Sequence, residues 1–363
     1  MDTVFRGALI DPALFHALSL VLALAAYNNL PNIEILTYRG ELLNGLNTIM
    51  RKPGWKPKVS SITAMLMLIS YEYRVDGANC DSIRAHIQGV QAIMNMCQAE
   101  DVTAVDQVQR ALFWQDLISC LVLGTSRLLS HNCYQEFRNL RIVNVTKELP
   151  LGFLEVTYMW HMEFAAVVQD LTGLCTLVDK CDPTRTFIDE LPIDDSQANI
   201  ESRLVDLLSE SRSSPACVDS IYEACIFATY LCTYNLSTGI WMGCFVPEVC
   251  VSRIIGCVTE AVHDPLWDSV PGLLLWLLCV SGGLTERKDV RKQVTVLIQS
   301  VFLLHMEGIH QDWHVCKGIL RNYVWSERAM ERKIFRVWKD LHPESSGALE
   351  ARDELGPLWS CVL

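Results

Sequence analysis

Apolar residues recur at steps of three and four along almost the whole chain, and that period leaves the fold little choice. Ile35, Tyr38, Leu42, Leu46 and Ile49 fall on one side of a helix that ends before Lys52-Pro53-Gly54. Ser60 or Ser61 is placed to cap a second, richly apolar stretch, "ITAMLMLISYEY". Asp76-Gly77 marks a turn, and Ile83, Ile87, Val90 and Met94 draw the next stripe. A helix follows from about Val102 to Leu123, stopped by Gly124 through the positive φ that glycine tolerates. Asp11-Pro12 reads as an N-cap followed by a first-turn proline. No alternation long enough for a strand occurs, and no repeat of fixed period. The expected fold class is all-α, a single large helical domain of packed antiparallel helices.

Along the chain, residues 1–341 are expected to form that domain. Its halves, 1–130 and 217–341, are joined by a less regular stretch, 131–216. Within that stretch a helix is expected from about Gly152 to Lys180, then an acidic connector, Cys181 to Ser196, then a short helix containing Ile200, Leu204 and Leu207. "SESRSSPAC", Ser209 to Cys217, has the composition of a linker. Helices resume at Val218, at Pro247 and after Pro271, and two longer ones cover about Asp289–His305 and Asp312–Leu341. The tail, 342–363, reads as flexible.

Composition narrows function. Half of the 363 residues are hydrophobic and a fifth are charged, enough to build a sizeable core. The net charge of -12 works against contact with a phosphate backbone. The basic group Arg321, Arg328, Arg332, Lys333, Arg336 and Lys339 is interleaved with Glu327, Glu331 and Asp340, the pattern of a solvated helix face. The 15 cysteines show no C-x-x-C spacing; Cys175 with Cys181, and Cys244, Cys250 and Cys257, are the nearest sets. They read as small core residues in a reducing compartment. The apolar run after Asp11 lacks a basic n-region and is too short to span a bilayer. The sequons at Asn144 and Asn235 are then chance, and Cys361 stands one place too late for a prenylation box.

Three local patterns invite chemistry. The acidic run "FIDELPIDDSQANIE" resembles a metal-diphosphate motif, but Asp194-Asp195 lack an acid three residues on, so a solvated connector is expected. His305, His310 and His314 contain a one-turn pair, yet Gly308 places His305 on a different helix and the H-E-x-x-H order is absent. In "ALFWQDLISCLVLGTSRLLS", Trp114, Leu117 and Leu121 form a stripe widened by Phe113 and Ile118, while Asp116, Ser119 and Cys120 have no local base. That stretch reads as a core helix, with Asp116 a solvated or capping acid. Nucleophile-elbow, dinucleotide and P-loop signatures are all missing. No residue is assigned a catalytic, cofactor-binding, metal-ligating or DNA-contacting role.

Three stretches taken in order carry a family resemblance: "DPALFHALSLVLALAAYNN…LTYRGELLNGLN", "TAMLMLISYEYRVDGANCDSIRAHIQGVQAIM" and "ALFWQDLISCLVLGTSRLL". Together with "GLLLWLLCVSGGLTERKDVRKQ" and "LRNYVWSERAMERKIFRVWKDL", they resemble the helical regulatory region of fungal zinc-cluster (Zn2Cys6) transcription factors. The polar landmarks are Tyr38-Arg39 and Arg84-x-His86, and the resemblance runs from about Asp11 to Leu341. It implies an all-α fold, residence in the nucleus and control of transcription, often of metabolic or secondary-metabolite genes, with no catalytic residues or cofactors. The family reads DNA through six cysteines holding two zinc ions, whereas this sequence begins at the regulatory region and its first cysteine is Cys80. The expected partner is therefore a DNA-binding factor or an N-terminal zinc-cluster segment, with a small effector possible and no membrane. The competing expectation is an α-helical enzyme of a biosynthetic pathway, which a carboxylate cluster facing one cavity would favour.

Overall fold

The computed structural model describes residues 8–27, 30–56, 58–75, 80–96, 102–127, 148–156, 160–180, 187–213, 219–236, 246–285, 287–306, 308–309 and 311–343. The protein is all-α, with no strand among the described residues. Its packing separates two compact units: Met1–Arg138 with Leu208–Arg212, and Asn139–Leu207 with Ser213–Leu363. The expected turn at Asp76-Gly77, the sequon at Asn144 and nearly all of the tail lie outside the described residues.

The first unit is built from α1 (Pro12–Ala26), α2 (Ile33–Met50), α3 (Val59–Val75), α4 (Cys80–Met96) and α5 (Val102–Leu123). Asp11 caps α1 as its sequence implies, accepting from the amides of Ala13 at 3.0 Å and Leu14 at 3.2 Å, with Pro12 opening the first turn. Its second oxygen accepts from Ser60 Oγ at 2.6 Å. Ser60 thus lies inside α3 and ties that helix to α1 instead of capping it. Against α1 packs α2, and α3 contacts α1, α4 and α5. Ile62, Leu66, Leu68, Ile69, Tyr71 and Tyr73 of α3 are buried accordingly. Gly124, at φ +64°, ends α5.

In the second unit, α6 (Met162–Lys180), α7 (Phe187–Ser213, apart from Leu208–Arg212), α8 (Ser220–Tyr234), α9 (Val246–Glu260) and α10 (Pro271–Gly283) come first. They are followed by α11 (Lys288–Val296), α12 (Trp313–Leu320) and α13 (Arg332–Leu341), the outer helices of the unit. A helix that is apolar all round must be enclosed by others, and two are. Every residue of α8 from Ile221 to Tyr234 is buried, as is α10 from Leu273 to Gly283. A Cβ on Gly283 would come within 2.6 Å of Ile334 Cγ1 and 2.9 Å of its Cα, so this glycine is what lets α13 lie directly on α10. Phe153, Trp160, Phe164, Tyr222, Trp276 and Tyr323 form an aromatic cluster in this unit, mostly edge-to-face, with Trp276 stacked on Tyr323.

Several expectations about element boundaries are corrected. The stretch expected to be less regular holds two of the longer helices. Of the acidic connector, Phe187 onward is helical, and Ser209–Ser213 of the expected linker forms the last turns of the same helix, α7. The helix expected from Gly152 begins at Met162, after a single turn at Leu151–Leu154. The long helix expected over Asp312–Leu341 is broken between Leu320 and Glu327. Asp179, at the end of α6, accepts from Ser326 Oγ at 2.5 Å and from the amides of Glu327 and Arg328 at 3.0 Å. That carboxylate joins a local cap, Ser326, whose Oγ accepts from the Ala329 amide at 3.1 Å, in starting a new helix there. The helix expected over Asp289–His305 passes through a π-helical turn at Leu297–Val301.

Candidate functional site

Arg39 and His86, one from each polar landmark of the sequence, gather at one buried acid in the first unit. Glu72, on α3, is 5% exposed, and a carboxylate there needs a cation. Arg39, a turn and a half along α2, donates to Glu72 Oε1 from Nε at 2.9 Å and from a terminal nitrogen at 2.6 Å. Its guanidinium also lies 6.0 Å from the Tyr71 ring centroid. His86, from α4, sits within the field of both charges, and burial holds its imidazole below the ordinary range, so it is neutral at neutral pH. Tyr38 faces outward and donates to Glu34 at 3.4 Å. Arg39, Glu72 and His86 form a compact, largely charge-balanced junction of three helices.

α5 is a core helix over its described side chains. Phe113, Trp114, Leu117, Ile118 and Leu121 are all buried, as the apolar stripe implies. Asp116 is buried too, at 1% exposure, which corrects its reading as a solvated or capping acid; Cys120 Sγ lies 3.9 Å from its Oδ1. Buried residues flank it on both sides, so its neighbours rather than solvent set its properties.

The second unit holds a polar group that sequence reasoning missed. On α7, Gln197 and Glu201 are buried, and Gln197 Nε2 donates to Glu201 Oε1 at 2.8 Å. Tyr230 of α8 is the facing side chain, although its hydroxyl and Glu201 Oε2 do not meet in hydrogen-bond geometry. Burial pushes the Glu201 carboxyl up to about 8, so it is mostly protonated at neutral pH. The expected solvated connector therefore turns part of its acidic face inward. A signal was present: Ala198, Glu201, Val205 and Leu208 share one helical stripe, and all are buried.

At the surface of the same unit, two adjoining grooves flank the exposed side of α9. One, of about 570 Å³, is lined by residues including Ser220, Glu223, Arg253 and Cys257. The other, of about 730 Å³, runs between α9 and the start of α11, past Glu248, Ile255, Thr259, Val290 and Gln293. Ser252, Gly256 and Glu260 belong to both. Nothing lies within 4 Å of where a Gly256 Cβ would stand, so the absence of a side chain there opens the shared wall. Arg287 spans one end, bonded to Asp289 at 2.5 Å and 3.7 Å from Glu248; the guanidinium holds Asp289 below the ordinary carboxylate range. These are balanced charges around an open trough, a lining suited to a docked surface.

The remaining candidates are placed apart. His305 Nδ1 lies 2.7 Å from Asp268 Oδ1, and His314 stands at the start of α12, on a separate helix as Gly308 implies. His310 and the Asp194 side chain lie outside the described residues. No group of three or more potential ligands gathers around a metal position among the described residues. Cys120, Cys175, Cys225, Cys232, Cys250, Cys257, Cys279 and Cys316 are buried and free of disulfides, in keeping with a core role. Asn235 is engaged in packing: its amide donates to the Ala329 carbonyl at 3.0 Å and its oxygen accepts from Lys333 Nζ at 2.5 Å. No helix among the described residues is long and apolar enough to cross a membrane. No family model, curated protein or solved structure matches the chain.

Proposed function

We propose that this chain is a regulator of transcription that works by binding a protein partner, or a small effector, through the trough along α9. The observation that carries the reading is that trough: two joined grooves along one exposed helix, opened at Gly256 and bordered by paired charges. A groove of this length accepts a helix laid against it. The resemblance to the regulatory region of fungal zinc-cluster factors supplies the biological setting, in the nucleus, with the partner being a DNA-binding factor or a zinc-cluster segment. On this reading the chain itself contacts no DNA.

The experiment is a fusion of the chain to an unrelated DNA-binding domain, read on a reporter. The reporter rises or falls relative to the DNA-binding domain alone, and Gly256→Leu abolishes the change. That substitution fills open space, and replacing glycine in a helix favours folding by roughly 0.5–1 kcal/mol. The melting temperature accordingly stays level or rises. A folded fusion that leaves the reporter unchanged under several growth conditions removes the regulatory reading.

The α-helical enzyme is favoured by one observation, the protonated Glu201, since a carboxyl held neutral in an apolar setting is how a general acid is prepared. Glu201 lines neither groove of the trough. Loss of a measurable turnover in Glu201→Gln, with the fold intact, would put the enzyme ahead.

A further inference from the structure

We propose that the outer face of α11 and α13 is a docking surface for an acidic protein segment. The two helices run side by side in the same direction. A Cβ on Gly282 would stand 3.1 Å from Val337 and 3.2 Å from Val294, which places those two residues level with each other. Further along both helices, Gln299 Nε2 donates to the Leu341 carbonyl at 3.2 Å. Between them, α11 and α13 carry seven bases and two acids, in a chain whose net charge is -12. The local sign is thus opposite to that of the whole.

The bases that matter are exposed. Lys288 and Lys292 stand one turn apart on α11, and Arg332 and Arg336 one turn apart on α13. No ion pair with another described residue neutralises these four. Of the nearby acids, Asp289 is taken by Arg287, Glu331 by Lys317, and Glu327 by Lys317 and Arg321; Asp340, exposed one turn beyond Arg336, is the single acid on α13, against its four bases. What the sequence presents as a self-balanced basic helix is sorted by the fold, with the neutralised pairs on the α12 side and a residue of unpaired cations on the outer face.

Charge complementarity selects the occupant. Two short rows of cations spaced by a helical turn match carboxylates repeating at the same interval on an acidic helix. The face is about 15 Å long, the rise of ten helical residues. A nucleic-acid duplex would extend well past it and meet the field of a chain with net charge -12. The four cations line neither groove of the trough, which takes other residues of α11, and the surface does not depend on a role in transcription.

The test is fluorescence anisotropy of the full chain with three labelled probes. These are an acidic peptide of about 20 residues with Glu and Asp at helical spacing, its Gln/Asn counterpart, and a DNA duplex of similar length. The acidic peptide binds, its amide counterpart binds at least roughly tenfold more weakly, and raising the salt weakens binding. The exposed quadruple variant Lys288→Gln/Lys292→Gln/Arg332→Gln/Arg336→Gln loses binding by a similar factor while keeping its circular dichroism. Should the quadruple variant fail to fold, the α11 pair and the α13 pair are tested separately, each with a partial loss expected. Equal binding of the two peptides, no loss in the folded variants, or tighter binding of the duplex than of the acidic peptide overturns the proposal. A silent reporter fusion with peptide binding intact would remove the transcription reading and leave this surface standing.

Discussion

Each unit buries a glutamate in its interior, and the two solve the problem differently. In the first unit Glu72 meets a guanidinium from Arg39 on a neighbouring helix, and the charge is balanced by a charge. In the second, Glu201 is bonded by the neutral amide of Gln197 one turn back on its own helix, with no cation beside it among the described residues, and a proton supplies the balance instead. The difference teaches how local context sets cost. An ion pair needs a long flexible partner at the protein's edge, where Arg39 keeps about a third of its side chain in solvent. Deep between α7 and α8 no such partner reaches, so the carboxyl gives up its charge.

Changing pH should break the comparison most strongly. Glu201 titrates at about 8 when folded against an ordinary value of 4.5. Because the folded value is raised, the folded state holds a proton that the unfolded chain releases between these limits. Stability is therefore fully present below about pH 4.5 and is lost as pH rises through about 8, by at most roughly 1.4 kcal/mol per pH unit. Glu201→Gln should match the wild type near pH 5 and exceed it by several kcal/mol near pH 8.5. Denaturant unfolding of both proteins across that range checks it, and parallel curves would refute the protonated glutamate.

Removing the cation from the other unit gives the next effect. Arg39→Met leaves Glu72 buried beside an apolar side chain. A fully buried pair would lose 3–5 kcal/mol, but partial exposure of Arg39 lowers the expectation to about 2 kcal/mol. Arg39→Met/Glu72→Met should recover most of it, since removing both partners removes the stranded charge. A double variant no more stable than the single one would show that Arg39 contributes by packing on Tyr71 rather than by charge.

Tyr230→Phe should be the smallest change. Its hydroxyl is buried and meets no hydrogen-bond partner among the described residues, so deleting it costs no bond to them. Thermal unfolding near pH 6 should shift by no more than about 0.5 kcal/mol, in the stabilising direction. A loss above about 1 kcal/mol would mean that the hydroxyl does bond Glu201 in solution.

Local signals were legible where the chemistry acts within a turn or two. The apolar period, Asp11 before Pro12 and Gly124 after Leu121 each announce their structure, and so do the isolated histidines around Gly308. Glu201 was partly legible, as an acid in the stripe of Ala198, Val205 and Leu208, but its polar neighbours Asp195 and Ser196 masked that stripe. The trough was not legible. Gly256 within α9 looks like any tolerated helix glycine until α11 and the α8 end are seen to leave space around it.

By itself the sequence determined that the chain is helical, because a 3.6-residue apolar period buries a face only as a helix. It determined several caps and stops, because a cap bond closes within three residues. The tertiary structure alone decided that Gln197 and Glu201 turn inward against Tyr230. It alone decided that the Ser326 cap is met by Asp179, a partner 147 residues earlier. Those outcomes depend on which distant side chains arrive at the same place, and that information is carried by packing.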